Sequence, residues 1–426
     1  MRWRFAETDD ERQTKAALVE RVNRWWARFR QREPEIRNTL TSGDAPAELG
    51  AWVKSELAAV LPELNFELGP GQGKGRLRLV ITAEGKATVV LFTKAMIGLA
   101  PKLEGWAFYS YRVADPFELA QLPLQARTGG EVRGWHVIVS REDRRLRLRF
   151  LSPECSRSQN PEQLDRACVA AEALLGEQIL NAWIGNIRVD PLPTRKAFLL
   201  FGRTVQVGTD DSIPVERLAE RVHQLVAQML AELPAVPLYE HLGRAPAAGA
   251  PIGNVYKLTR SSEELRRREA AGYPGQSDLL VGSQRLKQLF PAVQGPGFSS
   301  STLSRVGETF CYLKIDGVDG LGPSYADRGG LEDALDEVLV PRKLGCTIGG
   351  GTGYRYSYVE LALCDVERGV EAVRELLRTA DIPRHSWILF HDAELAAEWA
   401  GIYPETPPPP ANGAVFAASA TGDLNS

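Results

Sequence analysis

The chain has 426 residues, of which 44% are hydrophobic and 25% are charged, and its net charge is −3. A chain of this length is expected to form about two or three domains. A charge this close to neutral gives no electrostatic reason to expect a nucleic-acid partner. No stretch approaches the ~20 apolar residues that cross a bilayer, so we expect no membrane partner either.

The cysteines and the first residues of the chain indicate the cellular compartment. The five cysteines are scattered and form no C-x-x-C pair, which predicts free thiols rather than a disulfide framework or a zinc site. The basic start of the chain is followed at once by acids, with no apolar signal core. We therefore expect a cytoplasmic protein that needs no cofactor and no metal.

Residues 1–62 are predicted to form N-terminal helices that pack on the next domain. Leu18, Val22, Trp25 and Phe29 recur at the spacing of one helical face. Arginines occupy the neighbouring faces at positions 21, 24, 28 and 30. Interleaved tryptophan and arginine could indicate nucleic-acid binding, but an amphipathic helix with solvated arginines is favoured, because a basic patch normally shifts the net charge as well.

Residues 63–195 contain one pattern twice. Residues 76–81 and 145–150 both alternate arginine with apolar residues, as half-buried strands do. Each run follows another strand-like run and precedes a helical stretch and a further strand. The sequence therefore predicts a duplicated strand–strand–helix–strand unit within an α+β fold, with a sheet that has one buried and one solvated face.

The rest of the chain is predicted in three parts. Residues 196–303 form a mixed helical connecting region, which is either a separate domain or an extension of the last one. Residues 304–402 show the order strand–helix–strand–strand–helix–strand, which is typical of the split, ferredoxin-like arrangement. Residues 403–426 are rich in proline and small residues, and we expect a disordered tail.

Two glycine clusters are candidate ligand sites. Lys74 lies in a glycine-rich turn, but the P-loop spacing and the helix that should follow are missing, so a hairpin turn is favoured. The second cluster is expected to join two strands, and either a ligand or a mobile hairpin would explain it. Its candidate binding residues are Gly349, Gly350, Gly351, Thr352, Gly353, Tyr354 and Arg355, together with Asp316.

The remaining candidates are favoured as structural residues. His385 and His391 would need a third ligand from elsewhere to bind a metal. Asp316, Asp319 and Asp327 lie in a glycine-rich loop that lacks the EF-hand spacing. No nucleophile motif occurs, so the sequence identifies no catalytic residue.

The stretch 79–85, followed by 100–106, resembles a signature in uncharacterised bacterial proteins that carry domains of unknown function. The resemblance covers about the first half of the chain, and Gly85, Pro101 and Trp106 match it in structural positions. Some bacterial proteins of this general type have been proposed as immunity or accessory proteins in toxin systems. The resemblance thus implies no catalytic residues, and an immunity-like role would imply another protein as partner.

The sequence favours a non-catalytic binding or interaction protein, because the core patterning is good and no catalytic set converges. The alternative is a small-ligand-binding protein or an enzyme with its site at the glycine cluster of the last domain. A cavity that brings these glycines together with Asp316 and a histidine would favour the alternative.

Overall fold

The computed structural model describes residues 2–42, 47–71, 76–196, 204–206, 209, 211–242, 253–295, 297–317, 324–325 and 327–410. The chain divides into two compact units. The N-terminal unit is Thr8–Glu232, and the C-terminal unit combines Met1–Glu7 with Leu233–Ser426. The fold is of the α+β class, as the sequence predicts, and the finer division into five parts stays a prediction.

The N-terminal unit is built from helices and short sheets. Its helices are α1 (Asp9–Ser42), α2 (Ala47–Val60), α3 (Ala87–Gly98), α4 (Phe117–Thr128), α5 (Pro161–Trp183) and α6 (Leu218–Ala231), with a 3-10 turn at Val215–Arg217. Its strands are β1 (Asn65–Pro70), β2 (Leu77–Thr82), β3 (Trp106–Tyr109), β4 (His136–Glu142), β5 (Arg145–Ser152), β6 (Ile184–Pro191), β7 (Thr194–Lys196), β8 (Thr204–Gln206) and β9 (Ile213–Pro214).

Two sheets of this unit share one connectivity. β1 and β2 form an antiparallel hairpin, and β3 returns after helix α3 to lie parallel to β2. β4 and β5 form a second hairpin, and β6 returns after helix α5 to lie parallel to β5. The second sheet also holds β9 beside β4. The elements follow the predicted order, while a duplication as such stays a prediction.

The alternation of arginine and apolar residues gives these strands two different faces. In β5, Leu146, Leu148 and Phe150 are buried in the core of the unit. Arg149 lies on the other face and pairs with Asp190 of β6. This is the pattern expected when one face of a sheet is packed and the other is solvated.

The C-terminal unit is organised around one large sheet. Its strands are β10 (Asn254–Lys257), β11 (Leu279–Gln284), β12 (Thr309–Asp316), β13 (Gly345–Gly353), β14 (Tyr356–Leu363), β15 (Trp387–Phe390) and β16 (Trp399–Gly401). Its helices are α7 (Leu238–Leu242), α8 (Ser262–Ala270), α9 (Leu289–Gln294), α10 (Arg328–Leu339) and α11 (Val366–Thr379), with 3-10 turns at Ser300–Thr302 and Ala393–Leu395.

The seven strands lie in the order β10-β11-β13-β14-β12-β15-β16, and every neighbouring pair is antiparallel. The four strands predicted for residues 304–402 are the central β13-β14-β12-β15. β10, β11 and β16 extend the sheet at its edges, and two of them come from the region that the sequence predicts as mixed helical. The ferredoxin-like description of the last domain stays a prediction.

The structure corrects the prediction of a glycine loop. Gly349, Gly350, Gly351 and Gly353 belong to strand β13, which pairs with β11 on one side and β14 on the other. The turn instead lies at Tyr354 and Arg355. Glycine has a low strand propensity, so a run of glycines reads as a turn, but tertiary packing overrides that preference here.

Several predicted features lie outside the described residues: Lys74 with the turn 72–75, the expected linker 245–251, Asp319, and the tail from residue 411. Among the helices that the structure describes, none combines the length and the apolar composition needed to cross a membrane.

Candidate ligand-binding site

Polar side chains share one face of the C-terminal sheet. In β12 the polar residues occupy alternate positions, so they all lie on one side of the sheet, and the same is true of those in β14. The register places each one opposite a member of the other strand: Tyr312 opposite Glu360, Lys314 opposite Tyr358, and Asp316 opposite Tyr356. We call this side the polar face. Val359, Leu361 and Leu363 alternate with these residues and lie on the side that carries helices α10 and α11.

Strand β13 brings almost no side chains to the polar face. Gly351 lies opposite Tyr358, and Gly349 opposite Glu360. A Cβ atom at Gly351 would collide with the side chain of Leu279, and one at Gly353 would collide with the carboxylate of Asp278. The glycines are therefore needed because side chains from a neighbouring segment lie directly on the strand backbone.

We call residues 273–278, which end at Asp278 immediately before Leu279 of strand β11, the covering segment. It follows helix α8 and runs across the polar face before strand β11 begins. Its residues Tyr273 and Gly275 both have positive φ, at 56° and 55°. A tyrosine in this conformation is uncommon and strained, so the surrounding contacts must hold the segment in place.

Lys314 is held by the covering segment. Its side chain is fully buried, and its Nζ donates to the carbonyl oxygen of Tyr273 and, over 2.9 Å, to that of Gly275. The ammonium also lies 4.1 Å from the centre of the Tyr356 ring. Burial lowers the pKa of Lys314 to about 7, although the nearby carboxylate of Asp278 acts in the opposite direction.

Asp278 ends the covering segment and is also fully buried. Its carboxylate accepts hydrogen bonds from the backbone N–H groups of Arg355 (2.8 Å) and Tyr356 (3.0 Å) and from the hydroxyl of Tyr358. Burial first, and then this carboxylate, raise the pKa of Tyr358. The carboxylate thus fixes the β13–β14 turn and one tyrosine of the polar face.

A second buried charge lies further along β14. Glu360 is 1% exposed, and its Oε2 is 2.7 Å from Nε2 of His391. Its Oε1 accepts a 2.7 Å hydrogen bond from Nε2 of Gln276, in the covering segment. Burial, with a contribution from the Glu360 carboxylate, raises the pKa of Tyr312, whose ring lies 4.8 Å from that of His391.

One buried side chain of the same row lacks partners. Gln284 pairs in register with Gly349, which lies opposite Glu360. Its side chain is buried, yet neither its amide nitrogen nor its amide oxygen has a hydrogen-bond partner in the described part of the chain. Buried side-chain amides normally form hydrogen bonds, so the amide group of Gln284 is available to bond a further group.

The polar face opens to solvent at the turn between β13 and β14. Arg355 donates to both carboxylate oxygens of Asp316, over 2.9 and 3.2 Å. Nδ1 of His385 lies 3.7 Å from the same carboxylate. The His385 ring is stacked parallel to that of Trp387, which is buried. Tyr354 is 47% exposed at this end.

The structure brings part of the predicted site together. Asp316, Arg355, Tyr354 and Gly353 meet at the open end of the polar face, and His385 joins them. Thr352 points to the opposite side, since it pairs with Ser357 of the helix-covered face. The glycines serve packing rather than a loop, so the predicted binding role of these residues stays a prediction. Asp327 caps helix α10 through a 2.9 Å bond from the N–H of Gly330.

Lys314, Asp278 and Glu360 are not among the residues predicted from the sequence, and His391 is predicted there as structural. A usable signal was present, because Tyr-x-Lys-x-Asp at 312–316 and Tyr-x-Tyr-x-Glu at 356–360 show polar residues at period two. That pattern normally indicates a solvated strand face. Only the covering segment, which is distant in sequence, makes this face a buried one.

Within the described residues, no three histidine, cysteine, aspartate or glutamate side chains are grouped so as to hold a metal ion. Comparison with known proteins found no matching family model, no matching curated protein and no matching solved structure. The polar face itself is therefore the basis for a functional proposal.

Proposed function

We propose that this chain is a binding protein whose ligand is a small polar molecule that displaces the covering segment and binds to the polar face. One observation carries the proposal. The covering segment supplies the partners of two buried charged side chains on the sheet, Lys314 and Glu360, and it carries the third, Asp278. A ligand that displaced this segment would meet Lys314 and Glu360 at once.

The cost of burying charge supports a role beyond packing. Removing ions from water is expensive, and apolar residues of similar volume often stabilise a protein as well or better. Groups with perturbed pKa values, such as Lys314, also cluster at functional sites. A sheet face that served only as core would need neither the lysine nor the buried glutamate.

The hydrogen bonds of the covering segment indicate the chemistry of the ligand. Backbone carbonyls accept from Lys314, so a replacement must offer an acceptor there, such as a carboxylate. A side-chain amide donates to Glu360, so a replacement must offer a donor at the other end. Tyrosine rings line the space between the two. A small molecule with a carboxylate and an amine, as in an amino acid, fits both requirements.

A thermal-shift titration with free amino acids and related amino carboxylates tests this function. A ligand raises the unfolding temperature through mass action, so a binder should give a concentration-dependent increase. We expect the increase to disappear in Glu360→Gln and to persist in Glu375→Gln, an exposed glutamate of helix α11. No increase with any compound at millimolar concentration, or equal increases in both variants, would contradict the proposal.

A protein partner is the second candidate, and it is the non-catalytic, immunity-like role that the sequence favours. Strand β10 lies at one edge of the seven-stranded sheet, and Val255 within it is 71% exposed. An exposed edge can accept a further strand from a partner. Val255→Lys should then abolish co-purification of a partner that the unchanged protein retains.

The proposal includes a cytoplasmic location. All five cysteines are free thiols, and two of them, Cys311 and Cys346, are buried in the C-terminal sheet. Unpaired cysteines of this kind are usual where the environment is reducing.

A further inference from the structure

We propose that the N-terminal unit has an oxyanion site in a groove between helices α1 and α2, and that it takes a small phosphate monoester. The groove has a volume of about 150 Å³. Arg21, Arg24 and Arg28 line it from α1, and Glu56 lines it from α2, with Trp25 forming part of its wall.

The three arginines form one stripe. They are at positions i, i+3 and i+7 of α1, so they project from the same side of the helix over a length of roughly 10 Å. All three are exposed. The planar guanidinium group offers paired donors that match the oxygens of a phosphate, which makes such a stripe suited to this anion.

The existing partners leave positive charge available. Arg28 is engaged by both carboxylate oxygens of Glu56, over 2.8 and 2.7 Å. Arg21 has only a long, 3.5 Å contact to the carbonyl oxygen of Val60. Arg24 has no hydrogen bond or ion pair with any residue that the structure describes. Three guanidinium groups against one carboxylate leave an excess of about two positive charges at the groove.

Trp25 forms a rigid part of the groove wall. Its side chain is 1% exposed, and its indole N–H has no acceptor among the residues that the structure describes. Buried indole N–H groups usually have a partner. The ring is fixed by Phe29 and Trp52, whose centres lie 5.6 and 5.7 Å away. The indole N–H is itself enclosed, so a bound anion would contact the guanidinium groups of the three arginines rather than this donor.

The size of the groove and of the stripe indicates the ligand class. A volume of about 150 Å³ accommodates one phosphate group and little more. A nucleic acid would need a longer basic track than three arginines, because each phosphate contact adds only a small, salt-dependent increment. We therefore infer a free phosphate monoester and treat RNA as an outcome of the test.

Titration of the full chain with inorganic phosphate, at constant ionic strength in sodium chloride, tests the site by calorimetry and tryptophan fluorescence. We expect saturable binding that weakens about tenfold in Arg24→Gln, since one charge-assisted hydrogen-bonded pair is lost. Circular dichroism should show an unchanged fold in this variant. Arg30→Gln is the matched control, because it is an exposed arginine of α1 that does not line the groove.

Three results would overturn the site: no saturation by about 10 mM phosphate, the same loss in Arg30→Gln as in Arg24→Gln, or unchanged affinity in Arg24→Gln. A single-stranded RNA oligonucleotide that binds more tightly than phosphate, and loses affinity equally in both arginine variants, would also overturn it in favour of a diffuse basic surface.

Discussion

His391 and Glu360 form a buried pair: Nε2 of the imidazole lies 2.7 Å from Oε2 of the carboxylate, and the two side chains are 7% and 2% exposed. The pair joins β14 to the end of β15, while the second oxygen of Glu360 is bound by Gln276. The two contacts of the Glu360 carboxylate therefore link strand β14 both to the end of β15 and to the covering segment.

Glu360→Gln should destabilise the C-terminal unit by about 1–3 kcal/mol, because the amide leaves a buried partner unsatisfied. The free energy of unfolding can be measured in urea. Glu375→Gln is the control, since that side chain is 61% exposed and lies 3.7 Å from Arg342, and an exposed pair contributes ~1 kcal/mol or less. Equal stability of the two variants would show that the buried pair adds nothing.

The pKa of Lys314 predicts a pH dependence of stability. Burial lowers it from the ordinary 10.5 to about 7, so between these values the unfolded chain binds more protons than the folded one. Stability should then rise as the pH increases from about 7, and below pH 7 this gain should be absent. The dependence should vanish in Lys314→Met.

The comparison of wild type with Lys314→Met is best made between pH ~6.5 and ~8.5. At higher pH the buried thiol of Cys346 acts in the opposite direction, because burial raises its pKa and the folded chain then holds a proton that the unfolded chain releases. Parallel pH profiles for the two proteins would show that Lys314 does not titrate differently in the folded state.

Gly351→Ala should destabilise the C-terminal sheet by about 1–3 kcal/mol through overpacking. The new methyl group would collide with the Leu279 side chain and lie 2.8 Å from the carbonyl oxygen of Val281. Gly330→Ala is the matched control, because a Cβ there meets nothing closer than 3.8 Å and the residue lies in helix α10. Thermal unfolding should show a loss for the first variant and no loss for the second.

Asn160→Ala should reduce the stability of the N-terminal unit by about 1 kcal/mol, since it removes the N-cap of helix α5. Oδ1 of Asn160 accepts from the N–H groups of Glu162 (3.1 Å) and Gln163 (3.3 Å). Asn160→Asp keeps an acceptor in the same place and should retain most of the stability in urea unfolding. A similar loss in both variants would argue against capping as the cause.

The regular elements could be predicted where local pattern and tertiary packing agree. The alternation in β5 and the apolar stripe of α11 both follow directly from which face is buried. The second half of β13 could not be predicted, because its glycines carry no periodicity and the side chains that require them, Leu279 and Asp278, come from about 70 residues away in the sequence.

The candidate site could be predicted only at its open end. Asp316 and Arg355 belong to positions where strands end, and residues of that type suggest a site by themselves. Lys314 and Glu360 alternate with apolar residues as solvated residues would, so their burial depends on the covering segment. No local pattern in residues 273–278 indicates which strands they will cover.

The glycines of β13 limit which substitutions this protein can accept during evolution. Leu279 and Asp278 occupy the space that side chains of that strand would otherwise fill. A larger residue at 351 or 353 is therefore acceptable only together with a smaller one at 279 or 278. Changes at these positions should occur as matched pairs in descendants of this sequence, and single changes should be lost by selection.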